Sequence, residues 1–501
     1  MKINFSKPII LVAMVLAVSS CEKLDEDVYS SVFTSNFYQS SKDAEAALTA
    51  AYGALSSLYY GPAAILCSDF SADQAYPRPV VGRNTLTLFS YDVDYTTQKS
   101  FSRASQEGPL GIWQYSYKGI ENANWVIEKV PVIDMDPVRR DAIVGEALFL
   151  RAFYHFMLTK NFRDVIVKVS PTKTESDAFM AKSAQADVFK QIYQDLDDAI
   201  SKLPPYEAST AKGRVAKEVA IALYAKAALY AGDWAIAKDK AREVINTGKF
   251  SLVANVPDLY NVDMEDAART EILFAFEGER IEANNPNNYS WLTGLCGPLN
   301  SQGRDYGNTT FGSMFAYQSF FDSFDPADKR RQLLDTTYIN RNNQVISQKN
   351  ITPITTQGVL IKKYMDKNSS GPKANSNIPI LRLADTYLIA AEAEANLNGA
   401  TSEAYQYVNI VRGRAGLMDL VPGLSKEDFI KAVLQERSWE FFAEGDRWYD
   451  LTRTNTFLSV IPAAVNNVYP VRTPEARHRY FPIPQDEIRT NSKVEQNPDW
   501  N

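Results

Sequence analysis

GRVAKEVAIALYAKAALYAGDWAIAKDKAREVINTGKFSL, residues 213–252, carries the clearest structural pattern in this 501-residue chain. Apolar residues recur at helical spacing over 216–231 and again over 234–247, and Gly232-Asp233 interrupts the pattern between them. The two stripes consist of Val219, Leu223, Ala227 and Tyr230, and then of Trp234, Ala237, Ala241, Val244 and Ile245. Alanine at the contact positions allows two helices to pack closely. The segment therefore predicts a helical hairpin of the tetratricopeptide type.

The same layout recurs elsewhere in the chain, although long insertions separate some of the partner helices. Gly399 divides one further pair, and the Asp136-Pro137 dipeptide is typical of the beginning of another helix. The predicted pairs are 41–58 with 109–130, the helix from Pro137 with 184–203, 216–231 with 234–247, and 380–397 with 402–415. The fold class that follows is mainly α, with about four helix pairs in a tetratricopeptide-like repeat scaffold.

Two long segments and the C-terminus do not fit the helical pattern. Residues 59–108 are rich in Tyr, Pro, Ser, Asp and Gly, and residues 282–379 are rich in Asn, Gly, Ser and Tyr. Connections of this length are usually functional or disordered, so we expect a large irregular lobe with little β-structure, apart from a weak strand over 271–276. The predicted organisation begins with a leader over 1–20 and a tether over 21–40. A helical scaffold follows over 41–270, which contains the insertion 59–108, and then an irregular insertion over 271–379. A last helix pair and following helix occupy 380–455, and an irregular tail over 456–501 packs on the scaffold.

The first 20 residues have the pattern of a lipoprotein signal peptide. Lys2 and Lys7 precede an uncharged apolar run over 9–18, which is too short to span a bilayer as a helix. The small residues Ser19 and Ser20 stand directly before Cys21, as the lipid-adding machinery requires. We therefore expect Cys21 to be the first mature residue and to carry the lipid; the alternative is an ordinary signal peptide with an incidental cysteine.

Composition narrows the function of the remaining chain. The formal net charge is −7, and removal of Lys2 and Lys7 with the leader makes it more negative by two, which argues against nucleic acid as a partner. No second apolar run reaches the length of a transmembrane helix. Cys67 and Cys296 are the two cysteines besides Cys21, and the sequence leaves open whether they form a disulfide or are buried free thiols.

Five ordered motifs carry a resemblance to a known family. They are RAFYHFMLTKNFRDVIV (151–167), the hairpin 213–252, ILRLADTYLIAAEAEANLNG (380–399), ERSWEFFAEGDRWYDLTR (436–453) and YFPIPQDEI with QNPDW (480–500). In this order, behind a lipobox, they resemble the SusD/RagB-type glycan-binding lipoproteins of Bacteroidetes. The resemblance covers most of the chain.

The resemblance implies a fold and a function. The fold would be a right-handed scaffold of four tetratricopeptide pairs with an irregular lobe. The protein would capture a glycan at the cell surface without catalysis and act as the lid of a SusC-like TonB-dependent outer-membrane transporter; a minority of such pairs import peptides. The acidic run 22–27 after Cys21 resembles that of lipoproteins exported to the outer face of the outer membrane, although it also fits a simple solvated tether. No cofactor or metal is implied beyond the lipid on Cys21.

Carbohydrate binding requires flat aromatic faces for sugar rings and polar groups for hydroxyls, placed on loops over a rigid scaffold. The two insertions supply both kinds of side chain, and we expect a site between them. The candidates are Asp69, Asp73, Tyr76, Arg83 and Asn84 in the first insertion and Tyr289, Trp291, Asn300, Arg304 and Tyr306 in the second. Each of these side chains could instead anchor its own loop.

A charged helix is predicted over 436–453, and it raises the alternative of an all-helical glycoside hydrolase. Glu436 and Glu440 are four residues apart and share a face, as a pair of catalytic carboxylates could. We favour ion pairs with the arginines of the same segment, Arg437, Arg447 and Arg453, because interior ion pairs commonly have this pattern. The neighbouring rings of Trp439, Phe441, Phe442 and Trp448 are expected in the core, as is His155, and His478 belongs to no catalytic motif.

Overall fold

The computed structural model describes residues 37–80, 82–96, 107–207, 210–279 and 289–501. The signal peptide, Cys21 and the acidic run all lie outside the described residues. The chain divides into two units, Met1–Gln39 and Ser40–Asn501, and the architecture below is that of the second unit.

Four antiparallel helix pairs form the scaffold, as the periodicity predicts. In each pair the two helices contact each other along their length. The pairs are α1 (Ser41–Tyr60) with α2 (Pro109–Lys129), α3 (Pro137–Phe162) with α4 (Gln185–Lys202), α5 (Lys217–Ala231) with α6 (Trp234–Asn246), and α7 (Leu383–Asn398) with α8 (Ser402–Arg414). The mainly helical, tetratricopeptide-like fold class is confirmed.

Small side chains hold the third and fourth pairs together. Ala225 and Ala228 of α5, Ala237 and Ala241 of α6, and Ala393 of α7 are all fully buried in one apolar cluster. Alanine at these positions brings the helix axes close, because no long side chain separates the backbones. The contact joins α6 directly to α7, although more than 130 residues of sequence lie between them.

The centre of the scaffold is the long helix α3. The Asp136 carboxylate accepts a hydrogen bond of 2.8 Å from the Arg139 N–H and caps the helix, with Pro137 at the first helical position. Among the described residues α3 is the one helix long and apolar enough to cross a membrane, and its apolar window is entirely buried inside the protein. His155 lies within it, fully buried, as predicted.

The charged segment 436–453 is two helices and not the single helix predicted. The first, α9 (Lys426–Glu440), and the second, α10 (Arg447–Arg453), are separated by a turn in which Ala443 and Gly445 have φ of 60° and 84°. These left-handed conformations end an α-helix. A Cβ atom on Gly445 would lie 2.8 Å from the carbonyl oxygen of Ala64, so only glycine allows this close approach.

β-Structure among the described residues consists of four antiparallel two-stranded ladders and a few isolated bridges. One of them joins the irregular lobe to the scaffold, because its second strand leads directly into α7; residues 380–382 therefore belong to a strand and not to the predicted helix. The ladders are β1 (Ala75–Pro77) with β3 (Met314–Ala316), β2 (Ile272–Phe276) with β8 (Ile378–Arg382), β4 (Leu334–Asp335) with β7 (Leu360–Ile361), and β5 (Thr337–Ile339) with β6 (Val345–Ser347).

Short helices and irregular segments complete the molecule. The short α-helices are Ala63–Asp69, Arg83–Leu88, Glu175–Ala178, Glu265–Ala268, Leu292–Cys296, Gln318–Asp322, Phe457–Val460 and Gln485–Thr490. In the tail, the Phe481 N–H donates to the Asn161 carbonyl at 2.8 Å and the Asn497 amide donates to the Phe162 carbonyl at 2.8 Å, at the end of α3. Cys67 and Cys296 are separate, buried free thiols.

A buried ion network fastens the lobe to the scaffold. Its members are Glu271, Arg330, Lys363, Arg382, Arg414, Glu436, Glu440 and Glu444. Arg382 at the end of β8 is central: it contacts Glu271 at 2.7 Å and Glu440 at 2.8 Å. Each member's side chain is at most 4% exposed. Strand, loop and helix are therefore bound to one another through charges that water does not reach.

The partners of these glutamates differ from those the sequence suggested. Glu436 and Glu440 pair with arginines from distant segments, Arg330 among them at 2.6 Å and 3.1 Å. The arginines of the glutamates' own segment pair elsewhere: Arg437 with Asp385 and Asp450, Arg447 with Asp73, and Arg453 with Glu392 and Asp450. The expectation of ion pairs within 436–453 was wrong for the glutamates. Arg437 is next to Glu436 on α9 but pairs with Asp385 and Asp450, and Arg447 and Arg453 lie beyond the break after Glu440.

Candidate functional site

Four aromatic side chains meet where the first helix ends against the irregular lobe. We call Tyr60, Tyr289, Trp291 and Phe311 the four-ring cluster. The ring of Tyr60 lies 5.1 Å from that of Tyr289 and 6.4 Å from that of Trp291, in edge-to-face arrangements. Trp291 continues the row to Phe311 at 5.7 Å. Such separations are favourable aromatic contacts, so the rings support one another's orientation.

Backbone hydrogen bonds hold the cluster to the scaffold. Tyr60 is the last residue of α1, and its carbonyl accepts a 3.2 Å hydrogen bond from the N–H of Trp291. The Phe311 N–H donates to the Gly294 carbonyl at 2.7 Å. Gly294 is required there, because a Cβ atom would lie 2.6 Å from the Phe311 ring. A rigid helix thus presents rings that belong to two loops far apart in sequence.

The cluster is open to solvent on part of its surface. Tyr60, Trp291 and Phe311 are half-buried, while Tyr289 is 8% exposed. Burial, together with a hydrogen bond of 3.4 Å to the Tyr60 hydroxyl, raises the pKa of Tyr289 to about 12. The ammonium group of Lys373 lies 5.9 Å from the Tyr289 ring centroid. Uncharged rings beside polar hydrogen-bonding groups suit a ligand with apolar faces and hydroxyl edges.

Three of the predicted candidates in the first insertion have structural partners. Asp73 pairs with Arg447 of α10 at 2.8 Å, and Arg83 forms a two-pronged ion pair with buried Glu107 at 2.5 and 2.7 Å. Tyr76 is 5% exposed and packs among Phe315, Tyr317 and Tyr469. These contacts use the polar and aromatic groups for folding, and none of the three touches the four-ring cluster.

Asp69 and Asn84 are also inside the protein rather than in an open site. Asp69 ends a short buried helix and is fully buried, with no hydrogen bond of normal geometry to either carboxylate oxygen. Burial raises its pKa well above the usual range for a carboxyl group. The amide oxygen of Asn84 is buried without a partner within the described residues. Neither side chain is placed to meet a large ligand.

The candidates of the second insertion divide between the cluster and its surroundings. Tyr289 and Trp291 are cluster members. Tyr306 is 4% exposed and donates to the Asp335 carboxylate at 2.9 Å, which anchors its own loop. Arg304 and Asn300 are exposed; Arg304 pairs with the adjacent Asp305 at 2.9 Å. In the described part of the lobe, neither of these two side chains contacts the cluster.

Two cluster members were missed by reasoning from the sequence. Tyr60 lies in the predicted first insertion, but its position directly before Gly61-Pro62 reads as the end of a helix. Phe311 stands in the polar stretch Asn308-Thr309-Thr310-Phe311-Gly312. A single aromatic residue among polar and turn-forming residues was the only sign of a binding site there. Both rings become parts of a site only because backbone contacts bring Tyr60 and residues 289–311 together.

The carboxylates that raised a catalytic interpretation are inaccessible. Glu436 and Glu440 are 0% and 1% exposed and are held in the buried ion network. Burial acts to raise the pKa of Glu440, but three neighbouring guanidinium groups outweigh it and hold that pKa well below its usual range. Within the described residues there is also no group of three or more His, Cys, Asp and Glu side chains that could hold a metal ion.

Comparison with known proteins agrees with this architecture. A family model described as "SusD family" matches residues 309–500, and one described as "Starch-binding associating with outer membrane" matches residues 65–229. A SusD-like protein of Formosa agariphila is 26% identical to this chain, with 96% of each chain covered, and the starch-binding protein SusD of Bacteroides thetaiotaomicron is 24% identical, with 81% of each covered.

A similar solved structure is surface glycan-binding protein A of Bacteroides thetaiotaomicron, in complex with laminarihexaose. It is 21% identical, the match covers 92% of this chain and all of that one, and the TM-score is 0.74. At this identity the likeness shows the shared fold. Taken together, the two family models, the relatives that align over most of the chain, and the helix pairs with their irregular lobe support a SusD-like family protein.

Proposed function

We propose that this protein binds a glycan at the four-ring cluster and is a non-catalytic capture protein of the outer membrane. The observation that carries the proposal is the half-exposed row of Tyr60, Trp291 and Phe311, mounted on the end of a scaffold helix. Aromatic faces pack against the apolar C–H faces of sugar rings. Relatives that are named as starch-binding, or that hold laminarihexaose, support this ligand class.

The proposal includes a place and a partner. With Cys21 lipidated, the protein is anchored to the outer membrane and faces the cell exterior, and residues 22–40 are the tether. The captured glycan passes to a SusC-like TonB-dependent transporter, for which the protein acts as a lid. The family description, which associates relatives with the outer membrane, supports the location. The buried state of Glu436 and Glu440 supports a binding role over hydrolysis.

A glycan array with the mature chain tests the ligand class. We expect binding to one or a few neutral oligo- or polysaccharides, and markedly weaker binding in Tyr60→Ala. Trp125→Ala is a matched control, because Trp125 is a half-buried ring on α2 with its own partner, Glu121. Binding to no glycan, together with capture of peptides, would contradict the proposal in favour of a peptide-binding lid.

Lipid attachment and the partner need separate measurements. Mass spectrometry of the membrane fraction should find acyl chains on Cys21, and Cys21→Ala should release the protein from the membrane. Co-purification from outer membranes should recover a TonB-dependent transporter. Recovery of the wild-type protein alone, under conditions that preserve other transporter complexes, would remove the lid function from the proposal.

A further inference from the structure

A cleft lies at the helix ends of the scaffold, and none of its lining residues belongs to the four-ring cluster. Its volume is about 670 Å³, within the range of small-ligand sites. We call it the helix-end cleft. Five of its lining residues are aromatic, and they come from three helices and the tail: Phe189 and Tyr193 of α4, Tyr230 of α5, Trp234 of α6, and Tyr480 of the tail.

Hydrogen bonds from tyrosine hydroxyl groups fix the orientation of two rings in this cleft. The Tyr193 hydroxyl donates to the Asp233 carboxylate at 2.7 Å, and its ring stacks on Tyr224 with centroids 4.9 Å apart. The Tyr480 hydroxyl donates to the Gln185 side-chain oxygen at 3.3 Å. Tyr193, Trp234 and Tyr480 are all half-buried. Fixed rings lose little conformational freedom when a ligand binds, which favours affinity.

Polar groups with unused hydrogen-bonding capacity stand among the rings. Within the described residues, the indole N–H of Trp234 donates to no protein group, and the half-exposed Arg479 has no ion-pair partner. The Asn396 amide donates to the Glu392 carbonyl at 2.9 Å, which leaves its own oxygen available. Donors and acceptors are therefore both present beside ring surfaces, the combination that polyhydroxylated ligands require.

Charge favours an uncharged ligand. The lining carries the acidic Asp233 and Glu392 and the basic Lys190, Arg453 and Arg479, so the formal charges nearly cancel. Two of these groups neutralise each other directly, since Arg453 and Glu392 pair at 2.5 Å in the wall of the cleft. Peptide binding by strand addition would need a free strand edge, and the described lining consists of helix ends and one tail segment.

We propose that the helix-end cleft is a second carbohydrate site, which binds a neutral oligosaccharide chain alongside the four-ring cluster. The inference rests on the proposed function, because it assumes that glycans are the natural ligands. Two sites on one protein would hold separate stretches of the same polysaccharide, and the second contact would become intramolecular once the first has formed. Polymers would then bind more tightly than short oligosaccharides that reach one site only.

Single and double variants test the two sites separately. The probes are laminarihexaose, maltoheptaose, xylohexaose and mannohexaose, measured by calorimetry, and laminarin, soluble starch, xylan and galactomannan, measured by affinity gel electrophoresis. The variants are Trp234→Ala, Arg479→Ala, Trp291→Ala and the double variant Trp234→Ala/Trp291→Ala, with Trp125→Ala as control. Arg479→Ala is included because Arg479 has no ion pair among the described residues and its guanidinium group lies over the Tyr480 ring, 5.4 Å from the ring centroid. Thermal unfolding confirms that each variant is folded.

The expected pattern is residual oligosaccharide binding in Trp291→Ala that becomes about tenfold weaker or more in the double variant Trp234→Ala/Trp291→Ala, together with weaker polymer binding in Arg479→Ala. Polymer retardation should fall in each single variant and disappear in the double variant. Unchanged binding in Trp234→Ala and Arg479→Ala, with complete loss in Trp291→Ala, would overturn the second site and leave the proposed function intact. Binding of no probe by any form would count against both. Loss of transporter co-purification in Trp234→Ala, with unchanged glycan binding, would reassign the cleft to a protein partner and overturn the inference.

Discussion

The buried ion network and the four-ring cluster join the same lobe to the same scaffold by opposite physical means. The network places charges where the side chains are at most 4% exposed, and each charge depends on its partners. The cluster places uncharged rings where three of the four are half-buried. The difference teaches that the charged residues of this chain, conspicuous in the sequence, fix its architecture, while aromatic residues in polar loops form the surface that is available to a ligand.

Removal of the central arginine should have the largest effect on stability. Arg382→Ala leaves Glu271, Glu440 and Glu444 without their shared partner, and we expect the free energy of unfolding to fall by about 3–5 kcal/mol. Urea unfolding followed by circular dichroism measures it. The control is Arg304→Ala, since Arg304 is exposed, and its cost should stay within about 0.5 kcal/mol. A loss below about 1 kcal/mol in Arg382→Ala would show that the network is dispensable.

Lowering the pH should weaken the buried ion network and leave the four-ring cluster unchanged. It therefore distinguishes the two regions without any mutation. The surrounding cations outweigh burial and lower the pKa of Glu440, Glu444 and Asp385, whereas burial raises the pKa of Glu436. A carboxyl group with a lowered pKa stabilises the folded chain above its unfolded pKa of about 4, and that stabilisation is lost as the pH falls. Burial also raises the pKa of Asp69, Asp195 and Glu277. The carboxyl groups with a lowered pKa still outnumber these four; besides the three above they include Asp73, Asp450, Glu394, Glu45 and Glu121.

We therefore expect the free energy of unfolding to fall below about pH 4.5, by about 1.4 kcal/mol per pH unit for each net proton bound. Glycan binding should not change between about pH 5 and pH 8, because the cluster has no group that titrates there; the pKa of Tyr289 is raised to about 12. Urea titrations down to about pH 3 and binding assays over the neutral range measure the two effects. A stability that stays constant from pH 5 to pH 3 contradicts the assigned role of the network.

Trp291→Ala should lower glycan affinity more than stability, whereas Arg382→Ala should chiefly lower stability. Trp291 contacts three other rings, and its loss removes the middle of the exposed row. We expect glycan affinity to fall by about 2 kcal/mol, roughly thirtyfold, with a smaller loss of stability than in Arg382→Ala. Calorimetry with the best ligand from the glycan array measures the affinity. Equal binding by Trp291→Ala and wild type would remove the cluster from the proposed site.

Gly294→Ala should have the smallest effect, and it tests whether the position of the Phe311 ring matters for glycan affinity. The added methyl group would meet the Phe311 ring at 2.6 Å and displace it. We expect a loss of about 1–2 kcal/mol in stability and a several-fold weaker affinity. Gly413→Ala is the matched control, because Gly413 lies in α8 with nothing within 4 Å of its added Cβ, and alanine there should be neutral or stabilising. The same affinity in both variants would mean that the position of Phe311 does not matter for binding.

Local periodicity was sufficient to predict the scaffold. All four helix pairs could be predicted because each helix shows its apolar stripe within 13 to 26 residues, and α6 and α7 confirm that alanines mark close contacts. The single helix expected over 436–453 was wrong at Ala443-Gly445, because a positive φ at alanine leaves no mark in composition. A close approach to Ala64, distant in sequence, imposes that turn.

The candidate site could be predicted only in outline. Tyr289 and Trp291, two candidates of the second insertion, lie in the cluster, whereas none of the first insertion's candidates does. Asp73, Tyr76, Arg83 and Tyr306 matched the same composition rule but have partners inside the fold. A sequence does not distinguish a polar side chain that faces a ligand from one that faces a distant partner, because both are chosen for hydrogen bonding.

Amino-acid patterns were enough to predict the helical repeat class, the loop-rich lobe and the family resemblance, since these depend on spacing within one segment. Only the tertiary structure decided which glutamate pairs with which arginine, and which rings stand together at the surface. The physical reason is range: a helical stripe is a local property, whereas the Arg382 ion pairs and the contact of Tyr60 with Trp291 join residues separated by 58 to more than 200 positions. The chain must fold before such partners exist.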